Sequence, residues 1–149
     1  MAVLDSSINT SGRKVQVKEV PLKYVNLTWP YVQKFLEKSV PHAHGEFTIE
    51  EVKVYVVQGL WSLYVIVDEN EEIHGAITVQ FLNRTDNRVA FITNISGKLL
   101  TDKNLFSQLS DILRSNGATC IEGSVRDSLV RLWSRIGACK KYNTIQFQL

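Results

Sequence analysis

Arg88–Gly97 reads RVAFITNISG, Thr101–Gly117 reads TDKNLFSQLSDILRSNG, Ala118–Gly123 reads ATCIEG, Arg126–Gly137 reads RDSLVRLWSRIG and Cys139–Leu149 reads CKKYNTIQFQL. The first of these is a β-rich run closed by a glycine. In the second, Leu105, Phe106, Leu109, Ile112 and Leu113 recur at helical spacing, and Thr101 or Asp102 can accept the free N–H groups of a first turn. A short apolar run follows. Leu129, Val130, Leu132, Trp133 and Ile136 then repeat the helical stripe, with Arg126, Arg131 and Arg135 on or near the other face, and Gly137 closes it. The order is strand, helix, strand, helix, strand. Two strands joined through a helix lie parallel in one sheet, so the fourth and fifth strands of the chain are expected to be parallel.

Working upstream, Leu60–Ser96 holds three β-rich runs separated by the polar stretches Asp68–Glu72 and Asn83–Asn87, which predicts a three-stranded antiparallel meander. Lys14–Val20, KVQVKEV, alternates apolar and charged residues and reads as a first strand with one wet face. From Leu27 to Val40 the apolar positions have helical spacing, Pro30 suits a first helical turn, and Pro41 and Gly45 stop the helix. Thr48 and Glu51 have capping-box spacing before IEEVKVYVVQG, a second helix ended by Gly59; its valines would also suit a strand. Residues 1–13 are expected to form a flexible arm, and residues 14–149 one α/β (α+β) domain. Its sheet is expected to be mixed, mainly antiparallel, with about six or seven strands and about four flanking helices.

A chain of 149 residues with 44% apolar content can bury a core. Lys and Arg total 17 against 15 Asp and Glu, scattered along the sequence, so charge argues for neither nucleic acid nor an anionic membrane. The most apolar run is interrupted by Gln58, Gly59 and Ser62 and is too short to span a bilayer. With no secretory signal, the expected place is the cytoplasm, and Cys120 and Cys139 are expected to be reduced and buried. His74 sits by a hairpin turn and His42 and His44 share a loop; all three read as surface residues, and no metal site is expected.

The order of elements is that of the GCN5-related N-acetyltransferase superfamily, and the resemblance covers roughly residues 14–149 at domain scale. LYVIVDENEEIHGAITVQ resembles the family's second and third strands, and LVRLWSRIGACKKY its late helix, closing glycine and following strand. Within the superfamily the chain looks most like the small acetyltransferase-like proteins of tailed bacteriophages. The resemblance implies that acetyl-CoA wedges between the fourth and fifth strands, with its pyrophosphate on a glycine-rich loop at the start of the next helix. Here that stretch is NISGKLLTDKN, with one glycine, so Asn94, Ile95, Ser96, Gly97 and Lys98 are the candidate cofactor-binding residues. Lys98 and Lys103 could supply charge, and Asp102 would oppose an anion there.

Many members place a Tyr four residues before the late helix's closing glycine, where its phenol protonates the departing thiolate. That position is Trp133, which the resemblance adds to the candidate cofactor-binding set and which reads independently as a large core side chain. Indole donates hydrogen bonds but is a far weaker acid than a phenol. The fourth strand carries no carboxylate to act as base; Glu122 and Asp127 are the nearest, and Asp127 is the better helix cap. No catalytic residue is assigned. The first functional expectation is a binding or structural protein on an acetyltransferase-like scaffold, with no cofactor and a protein partner, in a phage particle or on a host factor. The second is an acyl-CoA-dependent N-acetyltransferase acting on a protein or small-molecule amine, with acetyl-CoA as cofactor.

Overall fold

The computed structural model describes residues 14–40, 47–96, 102–125 and 127–149. The chain runs β1 (Val15–Glu19), α1 (Val25–Ser39), α2 (Ile49–Val57), β2 (Ser62–Asp68), β3 (Ile73–Asn83), β4 (Arg88–Ser96), α3 (Lys103–Ser115), β5 (Cys120–Gly123) and α4 (Asp127–Ser134). The strands form one sheet in the order β1-β2-β3-β4-β5. The first four are antiparallel neighbours and β4 pairs with β5 in parallel, as the strand–helix–strand segment requires.

Period-two alternation in the strands serves two apolar layers. On one face Val25, Trp29, Val32 and Leu36 of α1 and Val52 and Val56 of α2 pack on Leu63, Val65, Val67 and Ala76. On the other, Leu105, Leu109 and Leu113 of α3 and Trp133 of α4 pack on Val17, Tyr64, Ile66, Ile77, Val79, Ala90 and Ile92. The sheet is therefore buried on both sides, which is why β2 is apolar in nearly every position.

The α2 segment is a helix despite its valines. Thr48 Oγ1 accepts from the Glu51 N–H at 3.2 Å and Glu51 Oε1 accepts from the Thr48 N–H at 3.0 Å, so both halves of the capping box form. Gly59 ends it at φ 78°, where an added Cβ would sit 3.2 Å from a Leu22 methyl.

Four expectations need correction. The helix over 25–39 starts earlier than Leu27, because a short 3-10 turn at Leu22–Tyr24 leads directly into it. Pro30 is thus inside α1, on its exposed side, where water can satisfy the carbonyl that loses its N–H donor. Among the described residues the sheet has five strands, fewer than expected, because Cys139–Leu149 joins no ladder; residues 138–149 are exposed throughout. Cys139 shares that exposure, while Cys120 is half-buried. The expected arm at 1–13, Pro41 and Gly45 with His42 and His44, Gly97, Lys98, Thr101 and Arg126 all lie outside the described residues. Among the described residues no helix is long and apolar enough to cross a membrane.

Candidate functional site

The β4–β5 ladder ends at the Ile92–Gly123 pair, and β4 continues to Ser96 while β5 stops. Over Thr93–Ser96, β4 therefore has no ladder on its β5 side among the described residues. A one-residue bulge follows the end of that ladder. Val79 faces Ile92 and Thr78 faces Asn94, so Thr93 is the extra residue. The bulge reverses the inside–outside parity of β4: Ile92 packs under α3 and α4, and Ile95 does so as well, three residues on.

The same reversal turns Asn94 toward α1. Its Nδ2 donates to Ser39 Oγ at 3.0 Å, its Oδ1 accepts from Thr78 Oγ1 at 3.0 Å, and Thr78 Oγ1 lies 2.6 Å from Thr93 Oγ1. Ser39 Oγ in turn donates to the Leu36 carbonyl at 2.6 Å. Asn94 is 3% exposed, so this buried chain of bonds fixes the end of α1 to the bulge. The Asn94 side chain faces away from the α3–α4 layer, whereas Ile95 packs at the edge of that layer and Ser96 ends the strand.

At the start of α3, Asp102 acts as the N-cap: its Oδ1 accepts from the Asn104 N–H at 2.9 Å and from the Leu105 N–H at 3.1 Å. A carboxylate belonging to the chain thus sits on the donors that a helix N-terminus otherwise offers to a bound anion. Lys103 is exposed beside it.

Trp133 is 9% exposed and belongs to the core under α3, with its ring 6.4 Å from Phe106 and near the Cα of Gly123. Its buried Nε1 donates to no partner among the described residues. Trp133 and Asn94 therefore lie on opposite faces of the sheet. Glu122, the nearest carboxylate on a strand, has Oε2 2.7 Å from Lys141 Nζ and both oxygens within 3.0 Å of Arg84 Nη1. The Lys141 hydrogen bond, helped by Arg84, holds its carboxyl below the usual range, which makes it a poor proton acceptor. Asp127 begins α4, so the cap position falls on Arg126, outside the described residues.

The sequence reading missed one constellation. The Asp68 carboxylate accepts from the Asn70 and Glu72 N–H groups at 2.8 and 3.0 Å, and its Oδ2 lies 2.8 Å from His74 Nε2. The hydrogen bond from His74 leads in lowering the Asp68 pKa. His74 is the bulged residue of β3, facing the Ile66–Val67 step, and is half-buried rather than a plain surface residue. Asp68, Glu72 and His74 bring ligand atoms within 4.8 Å of one another, yet the Asp68 oxygens are already committed to three donors. The signal for this turn was DENEEIH: an Asp followed two and four residues on by N–H groups it can collect.

No family model matches the chain. No curated protein matches it in sequence. Solved structures do resemble it. A ribosomal-protein-alanine N-acetyltransferase from Brucella melitensis superposes with TM-score 0.61 at 11% identity, covering 91% of this chain and 99% of that one. Its fold is that of the GCN5-related N-acetyltransferases. A glucosamine-6-phosphate N-acetyltransferase from Arabidopsis thaliana gives TM-score 0.58 at 12% identity over 91% of this chain and 98% of that one. An acetyltransferase from Trypanosoma brucei gives 0.59 at 11% over 91% and 100%.

Proposed function

We propose that this chain is a binding protein on an acetyltransferase fold, with a protein partner, and that it does not turn over acetyl-CoA. The observation that carries this reading is the Asp102 cap. Two N–H donors at the start of α3 are occupied by a carboxylate, and a pyrophosphate arriving there would have to displace it and face its charge. Trp133, buried in the position where the resemblance calls for an acid, and Glu122, held ionised by Lys141 and Arg84, point the same way. The resemblance to small phage proteins, in a glycine after the fourth strand and an arginine after the fifth, is what supports a setting in a phage particle or on a host factor.

A second reading, acyl-CoA-dependent N-acetyl transfer to an amine, is favoured by the stretch of β4 that runs past the end of its ladder with β5. The backbone of Thr93–Ser96 would hold the pantetheine arm, and the residues at that stretch fit it, since a strand edge bonds an extended amide chain whatever its side chains. Bound there, acetyl-CoA would supply an activated thioester.

Calorimetric titration separates the two. The expected dissociation constant for acetyl-CoA is weaker than about 100 μM, or about 5.5 kcal/mol of binding free energy. Asp102→Ser keeps a capping oxygen and removes the charge. A unit charge about 5 Å from a dianion in water, after screening, is worth about 1 kcal/mol, so this variant should bind about five-fold more tightly. A low-micromolar constant for the unaltered chain overturns the binding-protein reading.

A further inference from the structure

We propose that two copies of this chain pair through the outer face of α1, the two helices running antiparallel about a twofold axis. The inner face of α1 is already satisfied by Val25, Trp29, Val32 and Leu36 in the core. On the opposite side, α1 and the residue that leads into it carry Tyr24, Leu27, Tyr31, Lys34 and Lys38, all exposed. The steps between them are three, four, three and four residues, the spacing of a seam that packs against another helix. At 3.6 residues per turn, Leu27, Tyr31, Lys34 and Lys38 fall within about 40° of one line, directly across the helix from the buried side chains. Leu27 is 71% exposed and Tyr31 65%, so the seam begins with large apolar side chains in water.

The sheet edge at β1 offers no comparable contact. Gln108 of α3 accepts from the Val17 N–H at 2.9 Å and its Nε2 points to the Val15 carbonyl at 3.5 Å, so a side chain closes the backbone groups that would recruit another strand.

Charge selects both the occupant of the seam and its direction. In a parallel pair, Lys34 and Lys38 would each meet their own counterpart, and like charges there repel. An antiparallel pair with its axis beside residue 29 sets Leu27 of one copy against Tyr31 of the other. It also sets Lys34 against the Tyr24 ring, a cation on an aromatic face. Lysines of this helix already take that position within one copy: Lys23 Nζ lies 5.1 Å from the centre of the Tyr24 ring and Lys34 Nζ 5.2 Å from that of Phe35. Lys23 and Glu37 stand two heptads apart on one flank of the seam, with Pro30 midway between them. Antiparallel pairing brings Lys23 of each copy beside Glu37 of the other, twice by symmetry, and Pro30 beside its own counterpart. The Glu37 carboxylate is steadied by Gln33, whose Nε2 donates to Oε1 at 2.8 Å. An acidic helix of another protein would suit the lysines but repel Glu37, whereas the chain's own α1 answers both signs.

Sedimentation of the full chain tests this. The 15 residues of α1 span about 22 Å, a short contact, so a monomer–dimer equilibrium with a dissociation constant on the order of 100 μM is expected. Lys23→Glu and Glu37→Lys should each weaken it about ten-fold, because two attractive pairs become two repulsive ones. An equimolar mixture of those two variants should associate more tightly than either alone, since every flanking pair is then of opposite sign. Leu27→Asp should be monomeric, and because that side chain is exposed its circular dichroism should match the parent's. A monomer up to millimolar concentration, a dimer that Leu27→Asp leaves intact, or a mixture no tighter than the separate charge variants overturns the proposal.

Discussion

Replacing Trp133 gives the sharpest quantitative expectation, because the size and polarity of the side chain act in opposite directions there. At 9% exposure the indole buries about 200 Å² of mostly apolar surface, which at about 25 cal/mol per Å² corresponds to about 5 kcal/mol of transfer free energy. Trp133→Ala keeps only the Cβ and leaves space between Phe106 and Gly123, so a loss of about 3–5 kcal/mol is expected. Trp133→Phe removes less surface and also removes the buried Nε1 hydrogen that has no acceptor, an arrangement that costs about 1–3 kcal/mol in the native state. The two contributions offset, and the Phe variant should lie within about 1 kcal/mol of the parent. Urea melts of the three proteins, compared at constant m-value, measure both numbers. If Trp133→Phe is as damaging as Trp133→Ala, the indole N–H has an acceptor in solution and the reading of this side chain as apolar filling is wrong.

Other expectations concern particular bonds. Asn94→Ala should cost about 2 kcal/mol, since it strips partners from Ser39 and Thr78 in a buried network; a change near zero in thermal or urea unfolding would show that the network is solvated. Thr48→Ala should cost about 1 kcal/mol through the lost cap of α2, read in the same melts. Asp68 and Glu122 both titrate below their usual range in the folded chain, so their contributions are present above the unfolded-state values and are lost as pH falls through the lower folded-state values. Stability should therefore decline as the pH drops from about 5 toward 3, and Asp68→Asn should flatten that slope; an equal slope in both proteins would remove Asp68 from the account.

Much of this fold is written locally. The Thr48–Glu51 pair announces the start of α2, Asp102 announces that of α3, and the polar stretches around Asp68–Glu72 and Asn83–Asn87 mark both hairpins, because caps and turns are decided by a few neighbouring residues. Pro30 misled the placement of α1, since a proline in an exposed helix interior and one in a first turn look alike until the upstream 3-10 turn is seen. The bulge at Thr93 left no mark, as RVAFITNIS alternates no worse than an ordinary strand; only pairing with β3 shows which residue is extra. For that reason the sequence does not announce that the Asn94 side chain turns to bond Ser39 at the end of α1. The Asp68–His74 pair was equally out of reach, because it depends on a second bulge. Cys139–Leu149 has a strand's composition but pairs with no strand among the described residues, and pattern alone specifies a willingness to pair, not a partner.

The docking of Gln108 of α3 on β1 bears on the order in which the molecule can be completed during synthesis. The first four strands are neighbours in sequence and can pair as soon as they emerge, but the outer side of the first one is closed by a residue 91 positions after Val17. Until α3 has been made and has docked, the nascent meander carries an open flank at Val15–Val17, and its α3-facing apolar layer lies bare. Translation therefore passes through an interval in which both the flank and the layer are adhesive at once, and a single helix ends both hazards in one step. Slowing the ribosome before α3 has emerged would lengthen that interval.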